Sequence, residues 1–293
     1  MSHTILVTGA AGTVGTEVVK SLINRGVTVR AGVHSIIKGD RLKRLNPTLQ
    51  MVEIDYSKPE TLRVALTGVE RLFLLTPATA DQVTIGKHLI DAAKEIGIKQ
   101  IVKLSAAEAA AEAPIEIGRM HREVEQYLQQ SGVPAVLLRP TNYMQNFATR
   151  NYETIRDEGR LPLPLSDGKV AFIDVRDIAD AAATILCAPI EEHTGKAYHL
   201  TGPEVLSGAQ VAAALSEAVG GLVTYVPILE EDFRQQMASA PKWRVDSLLE
   251  LYGTYRAGHA AQTTADVVHL TGHEPHTIQQ FAHDYRHQFQ TEE

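Results

Sequence analysis

A chain of 293 residues with 44% hydrophobic and 22% charged side chains can bury a large core and has the composition of a globular protein rather than of a disordered one. Its formal net charge of −7 excludes a general nucleic-acid binder, which needs surplus cations to neutralise phosphates. A single cysteine, Cys187, excludes an internal disulfide, and no apolar run approaches the about 18–20 residues that span a bilayer.

The run His3–Thr8 is apolar and β-branched, breaks into Gly9-Ala10-Ala11-Gly12-Thr13-Val14-Gly15, and continues into Thr16–Ile23, where apolar residues recur at helical spacing. That is strand, turn, helix. Gly9 permits a sharp turn off the strand, Gly12 lacks the Cβ that would hold a diphosphate away, and Gly15 lets the helix lie close. The N–H groups opening the helix then face phosphates, which places Thr8, Gly9, Gly12, Thr13, Val14 and Gly15 at a dinucleotide.

Val27–Val33 reads as the second strand. Sites for NAD usually carry an acid about 20 residues past the first glycine to hold the ribose 2′-hydroxyl. Here the strand ends in His34-Ser35, followed by Lys38, Arg41, Lys43 and Arg44. Such a cluster suits a 2′-phosphate, so NADP is expected, with NADPH favoured over NADH and His34, Ser35 and Lys38 as contacts. The alternative is that these cations coat a solvated helix face.

The spacing Gly-x-x-Gly-x-x-Gly after a Val-Thr strand resembles the short-chain dehydrogenase/reductase superfamily, specifically its atypical NmrA-like branch. The resemblance implies an NAD(P)H-dependent oxidoreductase. NmrA-like proteins commonly have an arginine where this chain has His34. Met51–Ile54 is a third strand ending at Asp55, which the resemblance places beside the adenine; equally, Asp55 and Ser57 before Pro59-Glu60 make a helix N-cap. The fourth strand, Arg71–Leu75, ends at Thr76 and Pro77, where the family's backbone lines the cofactor. A long helix through Ile85, Leu89 and Ile96 leads to a fifth strand, Gln100–Leu104, and to Ser105, set beside the same cofactor. Alternating strands and helices predict an α/β fold: a doubly wound Rossmann parallel sheet with a ligand crevice at its C-terminal edge. The stretch Ala106–Pro114 is either a movable wall of the site or a short solvent-facing helix.

Most short-chain dehydrogenases carry a Tyr-x-x-x-Lys pair on the next helix. In Ile117–Glu125 the lysine position holds His121 and the tyrosine position Ile117, so the usual acid is missing. His-x-x-x-Glu here resembles NmrA-like quinone and triphenylmethane or azo dye reductases. His121 can hydrogen-bond the nicotinamide ribose or substrate, or simply pack within its helix. The sixth strand, Ala135–Arg139, runs into Pro140–Phe147, which resembles the family's Leu-Arg-Pro…Asn-Phe segment and turns Asn142 and Tyr143 toward the substrate. The alternative makes Tyr143, Met144 and Phe147 one apolar helix face.

Residues 1–150 are expected to form the dinucleotide-binding core and 151–293 a smaller interleaved C-terminal lobe, with 168–200 returning to the core. Val170–Ala179 contains the branch's Asp-Val-x-Asp-Ile-Ala segment, where Asp174 or Asp177 reads as a cap or structural partner. His269, His273, His276, His283 and His287 lack a cysteine partner or a His-Glu-x-x-His spacing, so no metal is expected, and Thr271–Pro275 reads as a structural turn.

The expected activity is hydride transfer from NADPH to a quinone, azo compound or similar conjugated acceptor, and an acceptor whose reduced form is a weakly basic phenolate needs little proton donation from a strong acid. An alternative is an NADP(H)-binding redox sensor without turnover. An alcohol dehydrogenase is disfavoured, because an alkoxide wants a positioned acid. The partner is a small molecule, the chain a monomer or homodimer, and, with no cationic, apolar leader, a cytoplasmic location is expected.

Overall fold

Alternation along the strands sets the layers. In β1 (Thr4–Val7), Ile5 and Val7 enter one core and Leu6 another on the opposite face, as the period of two requires. A computed structural model describes residues 4–111 and 115–290, with the Lys38 side chain outside that description. β1 is followed by α1 (Thr13–Asn24), β2 (Thr28–Val33), β3 (Gln50–Glu53), α2 (Pro59–Leu66) and β4 (Arg71–Leu74). Then come α3 (Gln82–Ile96), β5 (Gln100–Leu104), α4 (Glu116–Ser131), β6 (Ala135–Pro140), α5 (Val175–Cys187) and β7 (Ala197–Leu200).

The seven strands form one parallel sheet in the order β3-β2-β1-β4-β5-β6-β7. The chain therefore reverses its direction of winding beside β1, and every strand delivers its C-terminal end to one edge. α1 and α5 cover one face, burying Val18, Val19 and Leu22 of α1 against Ile178, Ala182 and Ile185 of α5. α2, α3 and α4 cover the other, where Leu62, Leu89, Ile90 and Leu128 pack on Leu72, Leu74 and Ile101. Each fully buried side chain of this size contributes about 1.5–3 kcal/mol, so the sheet is a rigid base for what its edge carries.

A second core forms beyond β6. Phe147 meets Phe172 and Phe281 edge-on, with ring centroids 5.1 and 6.4 Å apart. Around them Arg160–Leu163 pairs parallel with Thr224–Pro227, and Lys169–Val170 antiparallel with Leu206–Ser207. Helices Gly208–Val219 and Ile278–Tyr285 close this core. Between its two halves the chain returns to the main sheet as α5 and β7. Among the described residues no helix is long and apolar enough to cross a membrane.

Candidate active site

The crevice starts where β1 ends. Buried Thr8 ties that end to β4: its Oγ1 donates to Leu75 O at 2.9 Å and accepts from Leu75 N at 2.8 Å. Gly9 then turns with φ +61°, a conformation that disfavours a Cβ, and a Cβ there would also lie 2.7 Å from Leu75 Cδ2. A Cβ on Gly15 would collide with the Gly9 carbonyl, so α1 starts against its own loop. Gly12 differs: a Cβ there would meet only Gly9 O, at 3.2 Å, and otherwise open space. Gly12 is also the N-cap of α1, where no side chain caps the helix and no acid occupies the first turn. An uncapped helix end on open space is a seat for an anion, and a phosphate fits the room a Cβ would fill.

This end faces a cavity of about 360 Å³ lined by Gly12, Thr13, Arg41, Arg44, Gln145 and Thr149, among others. The Arg41 guanidinium reaches back to donate to Ala11 O. Among the described residues Arg41 and Arg44 line the cavity, and His34 and Ser35 do not. His34 is exposed, and Ser35 opens the helical turn Ile36–Gly39 that contains Lys38. Lys43 instead pairs with Asp40 at 2.9 Å. Asp55 is held in a turn: it accepts from Ser57 N at 3.0 Å and Ser57 Oγ at 2.6 Å, which with Lys58 pulls its carboxyl down to about 2. The N-cap of α2 is Lys58, so Asp55 and Ser57 brace the turn before the cap. Thr76 and Pro77 follow β4, half-buried beside the Thr8–Leu75 tie.

Farther along the same edge, charge is buried. Lys103, next to the C-terminal end of β5, is fully buried; its Nζ donates to Leu104 O at 3.1 Å and lies 3.1 Å from His121 Nδ1. Burial pulls the ammonium down to about 7 against the attraction of Glu125. Burial, and then the neighbouring Lys103, hold the His121 imidazole well below its ordinary value. An ammonium has only donors, so while Lys103 is charged Nδ1 accepts and the ring proton sits on Nε2.

Glu125, one turn on from His121, is clamped by Arg139 through Nε–Oε1 at 3.0 Å and Nη2–Oε2 at 2.6 Å. Ser105 directs its hydroxyl at the same carboxylate, at 2.5 Å, rather than into the crevice. The Asn142 carboxamide oxygen accepts from Tyr143 N at 3.0 Å and Asn146 Nδ2 at 2.6 Å, which turns the chain into the helix Gln145–Arg150. The Tyr143 hydroxyl is pushed up by burial first and then by the Glu108 carboxylate.

A second cavity, of about 530 Å³, opens beyond Thr141, walled by Glu108, His199 and the segment from Thr254 to Gln262. Glu108 sits on a single turn, Ala107–Ala110, whose carbonyl at Ala109 accepts from Arg122 Nε at 2.7 Å; Ala111 accepts from the same guanidinium. Residues 112–114, within the stretch read as wall or helix, lie outside the described residues. Asp174 caps α5 and Asp177 pairs with His276 Nδ1 at 2.6 Å, and no metal cluster occurs among the described residues.

Three features escape a reading of the sequence: Arg41 as the cation that reaches the glycine loop, Lys103 under His121, and Glu108 in a cavity wall. Lys103 is a cation in an apolar strand, and nothing local in the sequence says that it is buried.

A family profile described as the NmrA-like family matches residues 1–282. An NAD(P)H azoreductase of Xenophilus azovorans is 38% identical over 280 residues, covering 95% of this chain and 96% of that protein. The crystal structure of an NADPH-dependent quinone oxidoreductase from Escherichia coli, complexed with NADPH, superposes with a TM-score of 0.82 at 29% identity, covering 95% of this chain and 98% of that one. A triphenylmethane reductase of Citrobacter sp., complexed with NADP(H), shares the fold with a TM-score of 0.82 at 24% identity over 97% of this chain and 99% of that one.

Proposed function

From the family to which the chain belongs, the NmrA-like family, we propose that it is an NAD(P)H-dependent oxidoreductase that uses NADPH to reduce a quinone, azo compound or similar conjugated acceptor. One observation carries this reading. The uncapped start of α1 opens on a cavity lined by two arginines, Arg41 and Arg44, and a separate 530 Å³ cavity is walled in part by Thr141, which follows β6.

Gly12, Thr13 and the start of α1 would hold the diphosphate, and Arg41 and Arg44 the additional phosphate that distinguishes NADPH from NADH. The reduced nicotinamide, when bound, supplies a hydride. His121 holds rather than ionises: with Nδ1 engaged by Lys103, its Nε2–H is left as a donor to a ribose or acceptor oxygen. Ser105 and Arg139 act through Glu125, fixing the turn of α4 below His121.

Two measurements test the reading. Fluorescence titration should show tighter binding of NADPH than of NADH, and Arg41→Ala should narrow that preference about tenfold or more, the weight of one charge-assisted hydrogen bond. Steady-state kinetics of His121→Ala on a quinone should raise KM or weaken cofactor binding while kcat changes little. A loss of ~10²–10⁴ in kcat with unchanged binding would instead make His121 an acid. Tight NADPH binding with no turnover of any conjugated acceptor by the wild type would favour a redox sensor.

A further inference from the structure

Conjugated acceptors differ in the proton they need. Hydride delivered to a quinone leaves a phenolate, which is weakly basic and collects its proton from water. Hydride delivered to one nitrogen of an azo group leaves the electron pair on the other, a strongly basic anion that requires a proton as it forms. No tyrosine occupies the usual acid position, which holds Ile117, and His121 is held neutral by burial first and then by Lys103. The cavity wall supplies what these lack.

We propose that Glu108 is the proton donor to the acceptor in the 530 Å³ cavity, which makes azo-type acceptors, whose reduction needs a proton, the substrates this site favours; the inference rests on the reductase reading. Three observations carry it. Glu108 lines the cavity together with Thr141, which follows β6 at the crevice edge. Its turn is tied to α4 by Arg122, whose guanidinium donates to the Ala109 and Ala111 carbonyls. No salt bridge to Glu108 occurs among the described residues, and only a backbone hydrogen bond works against burial in favouring the carboxylate. Burial agrees with the geometry, lifting the carboxyl to about 7. The titratable groups around it are Tyr143 and Tyr255, themselves raised by burial and by the Glu108 charge, and His199 and His259 across the cavity.

The step balances as follows. The acceptor gains two electrons with the hydride, and the nicotinamide is oxidised. The Glu108 O–H bond breaks as a bond from that hydrogen to the second acceptor atom forms. Glu108 is left as the carboxylate and is reprotonated by solvent water.

The test compares a quinone with an azo dye, using NADPH, in wild type and Glu108→Gln. Azo turnover should fall ~10²–10⁴-fold, and quinone turnover by less than about tenfold. Independently of turnover, infrared titration of the cofactor-free protein should show a protonated carboxyl band lost with a midpoint near pH 7 and missing from Glu108→Gln. Equal losses on both acceptors, no loss on the azo dye, or a Glu108 carboxyl already ionised at pH 5.5 would overturn the assignment. Absence of turnover by the wild type on either acceptor would remove the reductase reading and the donor with it, an outcome distinct from an active wild type matched by its variant.

Discussion

At the glycine loop the groups turned to the crevice are backbone N–H groups of α1, and Arg41 and Arg44 stand beside them. Around β5 and β6 the materials are reversed, for Lys103 and His121, and Glu125 and Arg139, are side chains held to one another in pairs in a buried setting. A backbone site depends on what is absent, the Cβ of Gly12. It tolerates a change of charge nearby far better than a methyl group in the wrong place. A side-chain cluster depends on balance: volume can change, whereas removal of one charge strands another in a low-dielectric interior.

The sharpest way to break this contrast is at Arg139. Arg139→Met leaves the Glu125 carboxylate buried without its two-point partner and should cost about 3–5 kcal/mol, measured by chemical denaturation. Adding Glu125→Leu should return most of that loss. If the single variant is as stable as wild type, water reaches Glu125 and the cluster is not a closed balance. At the other end, Gly12→Val should weaken NADPH binding at least ~100-fold by calorimetry with the melting temperature little changed. Gly15→Val, which drives a side chain into the Gly9 carbonyl, should instead lose stability. Unchanged affinity in Gly12→Val would place the cofactor elsewhere.

At Lys103, whose folded value near 7 lies below the ordinary lysine range, the expected effect is a slope rather than a loss. Between the two values the unfolded chain holds the extra proton, so this group makes stability rise with pH from about 7 toward 10, by up to about 1.4 kcal/mol per unit. Denaturation at several pH values should show a flatter rise in Lys103→Met. An unaltered slope would mean that Lys103 is solvated.

The glycine loop was legible because its work is done by neighbours in sequence: a turn, an approach and a helix start all fall within seven residues, Gly9–Gly15. The winding of the sheet was legible for a related reason, since apolar strands such as Arg71–Leu74 alternate with amphipathic helices. Lys103 was not, because a lysine on a strand reads as solvent-facing until β4 and β6 flank it and α4 covers it. Ser105 looked free to face a cofactor, and only the fold brings Glu125, twenty residues on, within reach of its hydroxyl. Glu108 sits among alanines, a composition equally suited to an exposed helix, and its burial comes from chain some 150 residues later. Arg41 is one of four cations after β2, and distance alone singles it out.

The seat of α1 also has a history in time. Ser21 of α1 donates to Asp180 of α5 at 2.6 Å, and Arg25 to Thr184 at 3.0 Å, across some 159 residues of chain. During synthesis the glycine loop therefore emerges long before the helix that covers its neighbour. A nascent chain stopped at residue 150 would present Val18, Val19 and Leu22 with no α5 to meet them. That interval is a window for chaperone capture or aggregation, and it closes only when α5 has cleared the ribosome.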